Sequence, residues 1–179
     1  MQVPGMQVPG MQVPGMQVPG MQVVAAAIKA LSLTLRLLFI IFWADSAAEY
    51  AQAQGWEIIA YVEDYCSSGV EPERVMSAPI PAVNMLLKRN QLEVLDVDIF
   101  EHNEAFASAS CAVAQELNIP EDRFNIHGGA VALGHPIGAS GARILTTLIY
   151  ALERMKKNIG LATLCIGGGE ASAMIIEKL

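Results

Sequence analysis

The sequence predicts an α/β domain in which helices flank a mostly parallel or mixed sheet, with a disordered repeat tail in front of it. Two observations support this fold class. From residue 44 onward, stretches with the β-branched and aromatic content of strands alternate with segments whose apolar residues recur at helical spacing. Residues 1–20, in contrast, are Met-Gln-Val-Pro-Gly repeated in tandem, and a Pro-Gly pair in every repeat favours successive turns without hydrophobic periodicity.

The composition is that of a chain with a sizeable core and excludes one class of partner. The 179 residues are 53% hydrophobic and 16% charged, which suffices for one buried core. A formal net charge of −7, without clustered lysine and arginine, argues against nucleic-acid binding. The 3 cysteines are odd in number and far apart, so they form neither a disulfide framework nor a metal site. This usage indicates a reducing, cytoplasmic compartment.

The chain divides into a low-complexity repeat tail (1–22), an apolar segment of uncertain role (23–43) and a globular domain (44–179). The apolar segment approaches the length that spans a bilayer, but Lys29 and Arg36 would each cost about 2.5 to 3.5 kcal/mol near the membrane centre. A membrane helix is therefore not favoured. A signal sequence and a buried helix or strand are the alternatives, and a truncated or frame-shifted upstream region would also explain the composition.

The first half of the domain is predicted to contain two helices and two strands. A helix over 46–54 is ended by Gly55, and the strand over 56–65 is rich in aromatic and β-branched residues. A second helix begins at Pro79, has an apolar face and ends in basic residues that complement the helix dipole. The strand over 95–100 alternates apolar and acidic residues.

The second half is predicted to contain two helices and a pair of strands. The helix over 103–117 has many small residues, which let helices approach closely, and Cys111 on it is interpreted as a small core residue. The helix that begins near Ala142 has one apolar face and a basic end. Apolar strands over 160–166 and 173–176 follow, separated by a glycine turn at 167–169.

One stretch, residues 125–143 (NIHGGAVALGHPIGASGAR), is not explained by core or surface patterning. Gly128 and Gly129 allow backbone angles or close approaches that other residues do not, and Pro136 fixes φ directly after His135. The pattern therefore indicates a histidine held in a defined position. The glycine-rich end of the stretch leads into a helix whose first free amide groups could face an anion or a developing negative charge.

This stretch resembles the signature of thiolases, enzymes that make or break acetoacetyl-CoA and longer 3-ketoacyl-CoA esters. Two further motifs of the family stand in order around it: NEAFA at residues 103–107 and LCIGGG at residues 164–169. The resemblance covers residues 44–179 and is to the C-terminal half of the family. It implies a thiolase-like C-terminal half-domain, an acyl-CoA substrate without a further cofactor, and a homo-oligomer or a complementary thiolase N-terminal half as partner.

The resemblance also implies roles for individual residues. His135 would lower the pKa of the acyl-accepting cysteine and contribute to the oxyanion hole for the enolate, and Asn103 would hold the water that completes this hole. Cys165 would be the base that removes the α proton, and the backbone N–H of Gly167 would bind the oxyanion of the tetrahedral intermediate. The acyl pocket would be lined by two residues of the first motif, Ala105 and Phe106.

Other candidates are interpreted as structural. Cys66 lies in a Cys-Ser-Ser-Gly sequence similar to the nucleophile motif of the family, but it follows a predicted strand and matches a loop of the C-terminal half. His102 and His127 lack the restricted setting of His135. Ala171 stands where the family usually has another glycine, and residues 1–43 have no counterpart in the half that carries the nucleophilic cysteine.

The sequence therefore predicts an acyltransferase of the thiolase type, which would catalyse the reversible Claisen condensation of two acetyl-CoA to acetoacetyl-CoA and CoA. On this interpretation the chain is a truncated C-terminal domain without the nucleophilic half. The alternative hypothesis is a catalytically inactive thiolase remnant that acts only through protein association.

Overall fold

The computed structural model describes residues 23–27 and 43–179, which form strands and helices as follows. The strands of this part of the chain are β1 (Val23–Ala27), β2 (Trp43–Ala47), β3 (Ile58–Gly69), β4 (Ile99–His102), β5 (Ile159–Gly167) and β6 (Glu170–Lys178). The α-helices are α1 (Ala48–Ala53), α2 (Pro79–Arg89), α3 (Ala107–Glu116), α4 (Ala130–Leu133) and α5 (Ser140–Met155). Short 3-10 turns occupy Pro72–Ser77, Val94–Asp96, Glu121–Arg123 and Ile137–Ala139.

The strands form one mixed sheet in the order β2-β1-β3-β6-β5-β4. Strands β4 and β5 are parallel, and every other neighbouring pair is antiparallel. The predicted mixed sheet flanked by helices is thus confirmed, in its mixed and not its mostly parallel form. For β5 and β6 the reason is the tight glycine turn between them, because two strands joined by so short a connection must run antiparallel.

Both faces of the sheet carry a core. Leu161 of β5 and Ile175 of β6 pack on the side of α2 and α3, whereas their neighbours Ala162 and Ile176 pack on the side of α5. This division follows from the alternation of side chains along a strand. Burying each large apolar side chain contributes about 1.5 to 3 kcal/mol, so both helix layers hold the sheet in place.

The amphipathic helices α2 and α5 confirm their predictions. Helix α2 begins at Pro79 and has Lys88 and Arg89 in its last turn. Helix α5 buries its apolar face against the sheet and ends before Lys156, which adopts the left-handed conformation at φ 55°. Gly160 of β5 permits this packing, since a Cβ there would lie 2.8 Å from Cδ1 of Leu148.

Strand β3 differs from its prediction because it continues through the Cys-Ser-Ser-Gly sequence that was expected to form a loop. Cys66 pairs with Ala173 of β6, and Ser68 pairs with Ala171. The long partner strand supplies hydrogen bonds to a segment whose composition alone favours a turn. Tertiary pairing therefore overrides local preference here.

Two predicted elements begin later than expected. The strand predicted over 95–100 starts at Ile99, because Asp96 closes a 3-10 turn by accepting a hydrogen bond from the Glu93 N–H at 2.8 Å. The helix predicted from Asn103 starts at Ala107, because the N–H of Asn103 donates to Thr163 O of β5 at 2.9 Å. The NEAFA motif is consequently a loop that leads from the sheet into α3.

The interpretation of Cys111 as a core residue is wrong. Helix α3 buries only a narrow stripe of residues, Ala109, Ser110 and Val113, and Cys111 lies outside this stripe. Its thiol is free and its side chain is exposed. Small residues therefore mark more of this helix than the part that packs.

Two strands lie at one edge of the sheet: β1, from the apolar segment, and β2, which begins at the last residue of that segment, Trp43. Strand β1 pairs antiparallel with β3, as in Val24 opposite Tyr61, and β2 pairs antiparallel with β1. The predicted repeat tail (1–22) and residues 28–42, which make up most of the possible membrane helix, lie outside the described residues. In the described part of the chain, no helix combines the length and the apolar character that crossing a membrane requires.

Candidate active site

The candidate site lies at one edge of the sheet, where the parallel strands β4 and β5 end. Asn103 directly follows β4, and Cys165 lies near the end of β5. The two strands are joined beyond their last regular pair by the hydrogen bond from the N–H of Asn103 to Thr163 O. The carboxyl ends of parallel strands meet at the same edge, so the pairing brings Asn103 and the Cys165 segment together.

The loop between α4 and α5 brings His135 to Asn103. Gly134 ends α4 at φ 95°, a conformation that favours glycine, and Pro136 starts the turn that leads into α5. Nδ1 of His135 lies 2.6 Å from Oγ of Ser140, the first residue of α5. The Nδ2 atom of Asn103 lies 3.4 Å from Nδ1 and 3.5 Å from Nε2 of the same ring.

Asn125 holds the start of this glycine-rich stretch against β4. Its N–H donates to Phe100 O at 2.8 Å, and its Oδ1 accepts the N–H of His102 at 2.8 Å. Asn125 adopts φ 46°, a left-handed conformation that asparagine tolerates better than most residues. The side chain thereby satisfies a strand-edge donor that would otherwise be left without a partner.

Glu104 connects the first motif with the second. Its Oε2 accepts the N–H of Val131, a free donor in the first turn of α4, at 3.1 Å. Gly129 precedes this turn and is buried, and a Cβ there would overlap the Glu104 side chain. The absence of a side chain at Gly129 is thus what lets the carboxylate reach the helix terminus.

Cys165 stands before the glycine turn that joins β5 to β6. It is partly exposed, it pairs with Ala171, and burial raises the pKa of its thiol. The ladder is irregular between Cys165 and Gly167, and φ is positive at Gly167, Gly168 and Gly169. The turn forms although Ala171, and not a glycine, follows it in β6.

A set of charged and polar side chains lies beneath these residues. We call Glu101, His102 and Arg143 the polar floor. Glu101 and His102 expose 0% and 1% of their surface. Burial raises the pKa of Glu101 to about 8, against the opposing charge of Arg143. Burial lowers the pKa of His102 to about 4.

The polar floor touches the site through Arg143. Its Nη2 donates to Oδ1 of Asn103 at 3.3 Å. Its Nε and Nη1 atoms, both carboxylate oxygens of Glu101 and Nε2 of His102 are buried without a hydrogen-bond partner among the described residues. Nδ1 of His102 lies 2.7 Å from Oγ of Ser110. The polar atoms of the floor are therefore only partly hydrogen-bonded, whereas Asn103, His135 and Ser140 form a continuous row of contacts.

Comparison with known proteins identifies the family. Residues 56–178 match the model described as "Thiolase, C-terminal domain". The chain belongs to the thiolase family. It is 48% identical over 129 residues to an acetyl-CoA acetyltransferase of Escherichia coli K12, a match that covers 72% of this chain and 33% of that protein. It is 49% identical over 122 residues to a probable acetyl-CoA acyltransferase of Staphylococcus aureus NCTC 8325, covering 68% and 31%.

Solved thiolase structures are similar to this chain. A crystal structure of the Acat5 thiolase from Ascaris suum, in complex with coenzyme A, superposes with a TM-score of 0.70 at 45% identity and covers 75% of this chain and 35% of that one. The acetyl-CoA acetyltransferase of Bacillus anthracis gives 0.72 at 39% identity, covering 74% and 34%. The chain spans about a third of the length of these thiolases.

The residues that the thiolase resemblance singled out lie in one region, with different degrees of contact. Asn103 and His135 touch each other, and Cys165 with Gly167 occupies the adjoining strand end. Ala105 is half-buried, and its N–H donates to Asn103 O at 2.8 Å. In contrast, the predicted acyl-pocket residue Phe106 exposes 59% of its surface at the start of α3.

The remaining cysteine and histidine candidates lie in other settings. Cys66 is buried in β3, its Sγ donates to Ala82 O at 3.2 Å, and burial raises the pKa of its thiol. These contacts agree with the structural interpretation. His102 belongs to the polar floor, where it stacks on Phe124 at a centroid distance of 6.0 Å, and His127 is exposed.

Sequence reasoning did not single out four residues around the candidate site: Glu101, Glu104, Ser140 and Arg143. The last three form hydrogen bonds there, and Glu101 interacts with the charge of Arg143, but no local pattern reveals these interactions. No local signal marks Glu101, because it continues the alternation of apolar and acidic residues of the predicted strand and is followed by polar residues.

Proposed function

We propose that this chain provides the base and the oxyanion-binding residues of a thiolase that interconverts two acetyl-CoA with acetoacetyl-CoA and CoA. One observation carries the proposal. The amide of Asn103 faces the ring of His135 at 3.4 Å, at the end of the strand next to the one that bears Cys165. A neutral donor and an imidazole that face one space are suited to stabilising a negatively charged oxygen.

The chemistry assigns one task to each group. Cys165 removes the α proton of acetyl-CoA, and the resulting enolate oxygen is stabilised by His135 and by a water held on Asn103. The enolate carbon then attacks the acyl group held on a second thiolate, and the N–H of Gly167 stabilises the oxyanion of the tetrahedral intermediate. Collapse of that intermediate releases the acetoacetyl product and returns the second thiolate.

The second thiolate is proposed to come from polypeptide other than the residues described here, namely a thiolase N-terminal half. Cys66 does not suit this role, since it is buried in the sheet and burial raises the pKa of its thiol. Large apolar side chains on the loops around the site support a macromolecular partner. Val131 is 71% exposed and Ile137 is 85% exposed.

The raised pKa of Cys165 fits a base that works only in a completed site. A thiol with a raised pKa is protonated at neutral pH, but its thiolate is a stronger base once formed. A partner that covers the site must therefore bring a positive charge or hydrogen-bond donors to this sulfur. We expect the isolated chain to be inactive for this reason as well as for want of the acyl-accepting thiolate.

The experiment is thiolysis of acetoacetyl-CoA, followed as the loss of enolate absorbance, with the chain alone and with a separately produced thiolase N-terminal half. We expect turnover only in the mixture. His135→Ala and Cys165→Ala should each abolish it, whereas Cys111→Ala should leave it unchanged, since Cys111 is an exposed cysteine of α3 that lies outside the three motifs in sequence and has no described contact with their residues. A folded 1:1 complex without turnover would reject the proposal.

The second candidate is a catalytically inactive domain that acts through protein association. The exposed apolar side chains of Phe106, Val131 and Ile137 favour it, because they suit packing equally well whether or not chemistry follows. The same mixture separates the two functions. Complex formation that is indifferent to His135→Ala, together with an absence of turnover in the unaltered protein, is the result expected for association alone.

A further inference from the structure

The hydroxyl of Ser140 sits between an acceptor and the histidine of the site. Ser140 exposes 1% of its surface, and its Oγ lies 3.0 Å from Pro136 O and 2.6 Å from Nδ1 of His135. A hydroxyl has one proton to donate, and a carbonyl oxygen can only accept. The carbonyl has two lone pairs, so it can accept this proton as well as the N–H of Ala139, which lies at 2.7 Å.

The contact on the other side of the ring has a fixed direction as well. Nη2 of Arg143 donates to Oδ1 of Asn103, since a guanidinium has no acceptor. The Asn103 amide must therefore turn its Nδ2 donor toward His135, where it lies 3.4 Å from Nδ1 and 3.5 Å from Nε2, so this contact does not distinguish the two ring nitrogens. The Ser140 contact does distinguish them, because it involves Nδ1 alone and continues to a group that only accepts, the Pro136 carbonyl.

Only one neutral form of His135 satisfies both contacts of the Ser140 hydroxyl. With the proton on Nδ1, the ring donates to Ser140 and Ser140 donates to Pro136 O. With the proton on Nε2, the Ser140 proton would have to leave the carbonyl to serve Nδ1. The second arrangement loses one hydrogen bond.

We propose that Ser140 is a positioning residue that holds neutral His135 as the Nδ1–H tautomer and leaves Nε2 as the basic nitrogen of the site. The consequence of this tautomer for catalysis rests on the proposed function. There, Nε2 takes the proton from the acyl-accepting thiol, which leaves a thiolate and an imidazolium, while Nδ1–H stays on Ser140. The same nitrogen, now carrying the proton, then donates to the enolate oxygen.

The tautomer can be read directly by long-range ¹H–¹⁵N NMR of the uniformly ¹⁵N-labelled chain. The chain has only 3 histidines, and the signals of His135 are assigned by their loss in His135→Gln. At about pH 8.5, two units above the usual histidine pKa, we expect a protonated Nδ1 and an unprotonated Nε2. The reverse pattern in the unaltered protein would overturn the proposal without the need for any further variant.

Ser140→Ala tests the part played by the hydroxyl. Loss of the acceptor should move both ring nitrogens of His135 toward the averaged shifts of a tautomer mixture. Thr147→Val is the matched control, since Thr147 donates from the same helix to Arg143 O at 3.1 Å and has no described contact with His135. The signals of buried His102 report whether each variant is folded.

The outcomes are distinct. A folded Ser140→Ala protein that keeps a fully protonated Nδ1 overturns the role of Ser140, as does an equal shift in Thr147→Val. If Ser140→Ala does not fold, the spectrum of the unaltered protein alone decides. The proposed function can fail independently: an inactive mixture with an N-terminal half removes the catalytic consequence but leaves the measured tautomer as it is.

Discussion

The His135 loop and the polar floor beneath it are neighbours with opposite designs. In the loop, Nδ1 of His135 contacts Ser140 at 2.6 Å and the ring faces Asn103, so donors and acceptors are matched although the ring is exposed. In the floor, Glu101 and His102 are almost fully buried, yet both carboxylate oxygens and one ring nitrogen find no partner in the described part of the chain.

The difference shows which part of this fold is electrostatically unfavourable. A buried group without a hydrogen-bond partner is destabilising in its charged form, so it changes its pKa and stays neutral. The pKa of Glu101 rises and that of His102 falls, both chiefly by burial. Glu101 and His102 are thus the neutral members of the floor, whereas Arg143 carries its positive charge and donates to Asn103. The two neutral groups make the domain less stable toward either end of the pH range.

The largest expected effect comes from Glu101. Its folded pKa of about 8 lies above the reference value of 4.5, so the folded state holds one more proton than the unfolded state between these values. Stability therefore falls as pH rises through this window, by about 4 to 5 kcal/mol in total. In urea unfolding at a series of pH values, Glu101→Gln should gain stability over the unaltered protein progressively from pH 4.5 to 8.

Glu63→Gln is the matched control, because burial and the neighbouring charge of Glu177 also raise the pKa of Glu63. This carboxylate is more exposed than that of Glu101 and lies in the middle of β3. Its effect should be much smaller. A difference between Glu101→Gln and the unaltered protein that does not grow with pH would mean that Glu101 is ionised in the folded state.

His102 should produce the next largest effect, with the opposite sign. Its folded pKa of about 4 lies below the reference value of 6.5, so the unfolded state takes up a proton first as the pH falls. The stability contributed by neutral His102 is present above pH 6.5 and is lost as the pH falls to 4, by about 3 kcal/mol. In urea unfolding, His102→Gln should therefore gain stability relative to the unaltered protein as the pH falls over this range, and His127→Gln serves as the exposed control.

The two windows overlap between pH 4.5 and 6.5, where the slopes from Glu101 and His102 cancel. As far as these two groups determine it, the unfolding free energy of the unaltered protein should therefore form a plateau against pH in this range. Removing either side chain should convert the plateau into a slope, upward with pH in Glu101→Gln and downward in His102→Gln. A plateau that survives both substitutions would contradict the neutral floor.

Much of the fold could be predicted from the sequence, because helix and strand periodicity is a local property. Helix α2 starts at the predicted Pro79, and the glycine turn stands where it was expected. The errors occur where distant segments decide. Pairing with β6 extends β3 through Cys66, and the hydrogen bond to Thr163 keeps Asn103 out of a helix.

The meeting of the motif residues at the candidate site could be predicted from the sequence, but the residues that support them could not. His135 and Asn103 were indicated by motifs with distinctive composition, and the structure brings them into contact. Arg143 and Ser140 belong to the glycine-rich stretch, but nothing in their local sequence indicates what they touch. Their contacts with Asn103 and His135 are a property of the packed domain.

The smallest predicted effect concerns the link between the loop and the first motif. Gly129→Ala places a Cβ against the Glu104 side chain and should cost about 1 to 3 kcal/mol of unfolding free energy, as overpacking in a close contact does. Because φ at Gly129 is −95°, alanine is acceptable to the backbone there, and the cost comes from the contact alone. Glu104→Ala should cost about 1 kcal/mol through the lost hydrogen bond to Val131.

The double variant separates these causes. In the Glu104→Ala background the clash with the carboxylate is gone, but the Cβ of residue 104 remains 2.7 Å from the new Cβ, so Gly129→Ala should lose part of its cost there and keep the rest. We therefore expect the two changes together to cost clearly less than the sum of the single changes, as neighbours in contact do. Additive costs in urea unfolding would mean that Gly129 is needed for the path of the loop itself, and that Glu104 does not hold the loop to the sheet edge.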